Sequence, residues 1–216
     1  MSQSDTRRGP GRPRGSDGEQ TRLRILHSAR EVFSTKGFDR ASLRQIAEDA
    51  GITRNAIVNY YASKVDLYEA SLSSIQEVVL EQILGEAFQE TGSVHRRIMA
   101  IFERAVQTRT DDETLVRFFV TSTTDAIYHP LLRDRVVLPL TSVRNHVKAL
   151  LDVAQTDGEI EAGIDTEAAA QVCADLLWGL AFDISLSSDE PRARRTLAAI
   201  SQLVAAALSP VTQRIT

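Results

Sequence analysis

Residues 42–64 read SLRQIAEDAGITRNAIVNYYASK, and no other stretch limits the fold so tightly. Two short helical segments stand on either side of Gly51, each too short to persist as an isolated helix in water. Ser42, with Gln45 three residues on, is a capping-box start for the first. Thr53 is an N-cap for the second. Leu43, Ile46, Ala47, Ile52 and Ile57 can face inward. Ala47 is small enough for a close helix crossing, and Gly51 tolerates the positive φ of a tight turn. Arg44, Thr53, Arg54, Asn55 and Asn59 are then left outside. A helix gripped by its neighbours, with amides and a guanidinium outward, suits a DNA groove: Asn pairs bidentately with adenine and Arg with guanine.

The rest of the chain reads as helices. Residues 1–15, MSQSDTRRGPGRPRG, contain no core former and form a flexible basic arm. From about Asp17 a helix carries Ile25, Leu26, Ala29, Val32 and Phe33 on one side and ends at Lys36-Gly37. Phe33 and Phe38 complete a small core with Leu43, Ile46 and Ile57. Ser63 followed by Asp66 starts a long amphipathic helix whose stripe is Val65, Tyr68, Leu72, Ile75, Val79 and Ile83. Further helices are expected over about 93–109, 112–128, 131–155, 165–187 and 191–208, separated by Gly92, His129-Pro130, Asp157-Gly158 and Glu190-Pro191. Strand-like alternation is absent. The expected fold is all-α: a three-helix helix-turn-helix DNA-binding domain over residues 16–64, then a larger helical domain over 65–216.

Charge fits this division. Residues 1–67 hold 12 Lys+Arg against 8 Asp+Glu, whereas residues 68–216 hold 13 against 21. A basic head on an acidic body places phosphate attraction at one end. Cys173 is the only cysteine, so no intramolecular disulfide forms, which suits a reducing compartment. No signal-peptide pattern is seen, and no apolar run approaches the roughly 20 residues of a membrane span. The expected location is the cytoplasm. His95, His129 and His146 lack metal-ligand spacing, and no phosphate-binding glycine loop, HExxH or GxSxG motif occurs. An enzyme is not expected, nor a metal or other cofactor.

The segments AREVFSTKGFDRASLRQIAEDAGIT and RNAIVNYYASKVDLYEA, within residues 20–70, resemble the DNA-binding domain of the TetR family of transcriptional regulators. One departure is Val58, where many members carry a tyrosine. The resemblance implies that Ser42 and Arg44 meet DNA at the start of the second helix. Thr53, Arg54, Asn55 and Asn59 would lie along the major groove, with Tyr60 and Lys64 on phosphates. Phosphate contacts position a protein, whereas base contacts specify sequence. The Arg-Pro-Arg of GRPRG resembles the core of an AT-hook, and Arg7, Arg8, Arg12 and Arg14 are expected along a narrow, A·T-rich minor groove. A disordered solubilising tail remains the other reading.

The same resemblance implies that the body binds a ligand and dimerises. Cys173, Leu176, Leu177, Leu180 and Ile184 form one stripe; Leu197, Ile200, Val204 and Leu208 form another, among alanines. Paired hairpins could bury both in a four-helix bundle, or the stripes could pack within one subunit. A two-fold dimer would set two heads about 34–36 Å apart on a palindromic operator. For a pocket, Phe102, Phe118, Phe119, Ser122 and Asp125, with Asp175, Trp178 and Phe182, offer apolar walls and a few polar anchors for a hydrophobic or aromatic effector; ordinary core packing is the alternative. The function expected is a homodimeric repressor released by a small molecule. The alternative is a constitutive or architectural DNA binder whose body only dimerises.

Overall fold

A computed structural model describes residues 14–187 and 189–208 of the chain. Arg7, Arg8 and Arg12 lie outside the described residues. Arg14 opens the first helix, α1 (Arg14–Arg40), a few residues before the expected start. Then follow α2 (Leu43–Asp49), α3 (Arg54–Tyr60) and α4 (Lys64–Val78), a π-helical segment (Val79–Leu84), and α5 (Gly85–Gln89). The body continues with α6 (Val94–Asp111), α7 (Glu113–Tyr128), α8 (Pro130–Thr156), α9 (Thr166–Leu186) and α10 (Glu190–Leu208). No strand occurs among the described residues.

Helix α1 buries the stripe its spacing predicts: Ile25, Leu26, Ala29, Val32 and Phe33 all face inward. Gly37 breaks it, with φ 71° and ψ 171°. In α4 the stripe begins one residue pair later than expected. Val65 is 45% exposed, while Leu67 is fully buried ahead of Tyr68, Leu72 and Ile75. The long helix expected through Ile83 widens into π-helical turns from Val79. There the Gly85 N–H reaches back to the Leu80 carbonyl, and a Cβ on residue 85 would lie 3.3 Å from that oxygen. Glycine permits the close approach.

Head and body share one core. Phe33 on α1 meets Tyr68 on α4 at 4.8 Å and Phe118 on α7 at 5.9 Å between ring centroids. Phe38 meets Tyr68 at 5.0 Å, and Tyr68 meets Phe118 at 5.1 Å. Edge and tilted geometries of this kind add to simple area burial.

A polar tie lies beside the aromatic one. Arg30, buried on α1, donates from Nη2 to Asp112 Oδ2 at 2.6 Å, from Nε to Thr114 Oγ1 at 3.0 Å and from Nη1 to Ser74 Oγ at 3.4 Å. Burial alone would raise the Asp112 pKa, but hydrogen bonds from Thr114 and the charge of Arg30 outweigh it and hold the carboxyl below its usual value. A lowered folded-state pKa stabilises above the unfolded value of about 3.9 and loses that effect as pH falls through the folded value. Asp112→Asn is therefore expected to cost about 1.5–3 kcal/mol at neutral pH. Thermal melts of both proteins should converge in strong acid.

The body's stripes close the subunit itself. Cys173, Leu177, Leu180 and Ile184 on α9, and Ile200, Val204 and Leu208 on α10, are buried within one chain, and Leu197 is half-buried against the same core. The interface expected at these residues is thus not free for a partner: apolar periodicity marks a buried face without saying what buries it. The exposed side carries Val172, Phe182 and Leu186 on α9 and Leu203 on α10, with Gly179 and Ala198, Ala199 and Ala206. The expectation of no membrane-length helix also changes. By length and composition α9 would suffice to cross one. Here it packs on the body with its Cys173–Ile184 stripe inward.

Candidate nucleic-acid interface

Each short helix of the head is set by its first residue. Ser42 Oγ accepts from Gln45 N at 3.3 Å, Thr53 Oγ1 from Ala56 N at 3.1 Å, and Ser63 Oγ from Asp66 N at 3.1 Å. Between α2 and α3, Gly51 takes φ 67°, and the Ile52 N–H closes on the Ala47 carbonyl at 2.9 Å. A residue with a Cβ at Gly51 would carry the left-handed penalty of roughly 1–2 kcal/mol.

Helix α3 is anchored by one fully buried side chain, Ile57. Thr53, Arg54, Asn55, Val58 and Asn59 are exposed, and Tyr60 is 41% exposed. Its neighbour Tyr61, at 9%, is the tyrosine that enters the core. Arg44 on α2 is exposed and within 3.6 Å of Glu48, a pairing that surface solvent leaves weak. Ser42 is half-buried, its oxygen engaged as the cap. Arg54 and both asparagines form no side-chain hydrogen bond or ion pair among the described residues. The outward face of α3 therefore presents free donors and acceptors.

Lys64 is held differently from the phosphate contact expected of it. Its ammonium donates to the Phe38 carbonyl at 2.7 Å and the Asp39 carbonyl at 3.1 Å, and sits 4.5 Å from the Phe38 ring centroid. Two of its three N–H groups thus tie the start of α4 to the end of α1.

Asp125 is not among the walls of the body's apolar cavity. From α7 its Oδ2 accepts the Phe38 N–H at 3.1 Å and the Tyr68 hydroxyl at 2.9 Å. Burial, then the neighbouring Asp125 charge, push the Tyr68 pKa upward, so the phenol remains a donor. Phe38 is gripped on both sides, its N–H by the body and its carbonyl by α4. His129 adds a ring contact to Phe38 at 5.0 Å and lies 3.2 Å from Asp39.

The other expected pocket residues separate into three places. Phe102 and Phe118 are core, and Ser122 is buried with its hydroxyl on the Phe119 carbonyl at 2.7 Å. Phe119 alone of the group lines a partly open apolar cavity of about 70 Å³. Asp175 and Trp178 line a separate outer groove, and Phe182 stacks on Trp178 at 5.7 Å. The cavity's remaining walls are mostly aliphatic, including Ile75, Val78, Val79, Ile83, Pro139, Leu140 and Val143. Such residues carry no polar marker in sequence. Pro139 inside α8 was the one local irregularity pointing to them. Cys173 is buried, which pushes its thiol up to about 11, away from reactivity at neutral pH.

Known proteins match both parts. The family model of bacterial regulatory proteins of the tetR family covers residues 25–71. That of the C-terminal domain of BetI-type transcriptional repressors covers residues 94–209. The transcriptional regulator SrpR of Pseudomonas putida is 27% identical over 182 residues, covering 83% of this chain and 82% of its own. Among solved structures, Salmonella enterica GusR aligns with a TM-score of 0.70 at 23% identity, covering 88% of this chain and 95% of that one. FadR of Bacillus subtilis, solved with stearoyl-CoA, aligns at 0.71 with 16% identity, covering 85% and 97%. These two likenesses speak to the fold. With the head and more than half of the chain's length matched by the family's own domains, the protein belongs to the TetR family of bacterial transcriptional regulators.

Proposed function

We propose that the protein is a homodimeric repressor that reads a two-fold symmetric operator through residues 53–59 and leaves it when an apolar small molecule fills the body. The observation that carries the reading is α3 itself: one side chain holds it to the core, and the rest of its polar surface faces outward unpaired. Tyr60 joins Ser42 and Arg44 as a backbone contact in this reading, with Lys64 acting mainly through its hold on α1. Arg7, Arg8, Arg12 and Arg14 would follow the adjacent minor groove.

Dimerisation is assigned to the exposed faces of α9 and α10, where alanines and Gly179 let helices approach and Phe182 and Leu203 supply apolar area. The cavity favours a hydrophobic effector because almost all of its lining is apolar; that FadR was solved with stearoyl-CoA is consistent with such a ligand in this fold. Two helices span the distance from cavity to head. Helix α4 lines the cavity through Ile75 and Val78 and holds α1 through Lys64. Helix α7 lines it through Phe119 and holds Phe38 through Asp125. Ligand and DNA must then weaken each other's binding by the same factor.

Selection of bound sequences from random duplexes tests the reading. A palindrome with half-sites about one helical turn apart is the expected result. Leu203→Glu places a charge in the proposed interface and should yield monomers by light scattering that select single half-sites only. Binding without sequence preference would instead favour an architectural role.

A further inference from the structure

Helix α1 is broken at Gly37, and a short link through Phe38 and Ala41 joins that break to the Ser42 cap of α2. The direction the chain takes at Phe38 therefore aims the reading pair, α2 and α3. At an ordinary glycine-ended helix the N–H after the glycine returns to the helix's own carbonyls. Gly37 has ψ 171° instead, and the Phe38 N–H leaves the helix to meet Asp125 Oδ2 on α7 at 3.1 Å. The carboxylate lies directly over the break. Its Oδ1 is 3.5 Å from where a Cβ on Gly37 would stand.

The other side of the same residue is held from α4, where the Lys64 ammonium donates to the Phe38 carbonyl at 2.7 Å. With its N–H and its carbonyl both tied, Phe38 has little freedom left in its two soft dihedrals. Asp125 is itself aimed. The Tyr68 hydroxyl donates to the same Oδ2 at 2.9 Å, from a fully buried ring. His129, at the end of α7, sets its ring 5.0 Å from that of Phe38, and its Nε2 lies 3.2 Å from Asp39 Oδ1. Asp125 is half-buried and lines neither the apolar cavity nor the outer groove. Hydrogen bonds to an ionised acceptor are stronger than those between neutral groups, so this carboxylate is suited to hold a backbone N–H in place.

We infer that Asp125 is a positioning residue for operator reading: by holding the Phe38 N–H it fixes the angle at which α2 and α3 leave the body, and with it the spacing of the two heads. It touches no base and adds nothing to the contact of a single head. This assignment rests on the two-headed reading proposed above, and the test separates the two. Rigidly placed heads gain because the first to bind raises the effective concentration of the second. In the full-length protein, Asp125→Ala should speed hydrogen exchange at the Phe38 amide by about tenfold or more. It should weaken binding to the operator selected from random duplexes by about tenfold or more, and binding to a duplex carrying one half-site by no more than about twofold. Asp125→Asn keeps an oxygen that accepts both donors and should restore most of the protection and the affinity. Tyr68→Phe leaves the ring and the N–H bond in place but frees the carboxylate to swing, so it should fall between the two. Should Asp125→Ala not fold, Tyr68→Phe carries the same comparison. Full operator affinity, an unaltered exchange rate at Phe38, or an equal loss on operator and half-site overturns the inference, the last because the head itself would then be damaged. If the unaltered protein holds operator and half-site equally tightly, the two-headed reading fails and takes the operator role of Asp125 with it, while the exchange rate still decides whether Asp125 holds Phe38.

Discussion

Replacing Asn55 and Asn59 together by alanine is expected to lower operator affinity by about 2–6 kcal/mol, roughly thirty-fold to twenty-five-thousand-fold, since each bidentate contact to a base discriminates by about 1–3 kcal/mol. Both side chains are exposed, and neither has a hydrogen-bond partner among the described residues. Alanine is also the better helix former, so the thermal midpoint should hold or rise slightly. Binding to random duplex DNA depends on phosphates and salt and should change little. Titrations of both proteins on operator and random DNA, at one fixed salt concentration, check this. An equal loss on both DNAs would mean that the asparagines do not read bases.

Phe33→Ala is expected to destabilise the protein by about 3–5 kcal/mol. Phe33 is fully buried, and its ring lies against Phe38, Tyr68 and Phe118. The lost contacts belong to α1, α4 and α7 at once, so head and body should weaken as a unit. For a chain of this size, each kcal/mol moves the midpoint by roughly 2–4 °C. A drop of about 6–20 °C in a single transition is therefore expected, by circular dichroism and by loss of DNA binding alike. A variant whose head melts well before its body would show that the aromatic cluster does not join them.

What sequence could disclose was local. Ser42, Thr53 and Ser63 each cap the residue three positions on, as their spacing implies, and Gly37 and Gly51 take the positive φ expected at helix breaks. The polar face of α3 followed from which neighbours had to be inside. Questions of partner choice were another matter. Val65 and Leu67 both suit an amphipathic start, and only the packing of α4 decides for Leu67. The α9 and α10 stripes were recognisable as buried, yet the same pattern serves a subunit core or a dimer seam. Asp125 resembles a pocket anchor because it is polar on an apolar helix; its partners are the Tyr68 hydroxyl and a backbone N–H 87 residues away. The cavity escaped notice because Val79, Ile83 and Val143 resemble any core aliphatics.

Chemical editing of the operator tests the reading helix most directly. A guanine recognised by Arg54 offers N7 and O6 in the major groove, and its 2-amino group lies in the minor groove. Replacing that guanine by 7-deazaguanine should weaken binding by the unaltered protein and change nothing for Arg54→Ala. Inosine at the same position, which lacks only the minor-groove amine, should be tolerated by both. Full binding to every 7-deaza-substituted operator, with loss on inosine, would place the head in the other groove and contradict the account.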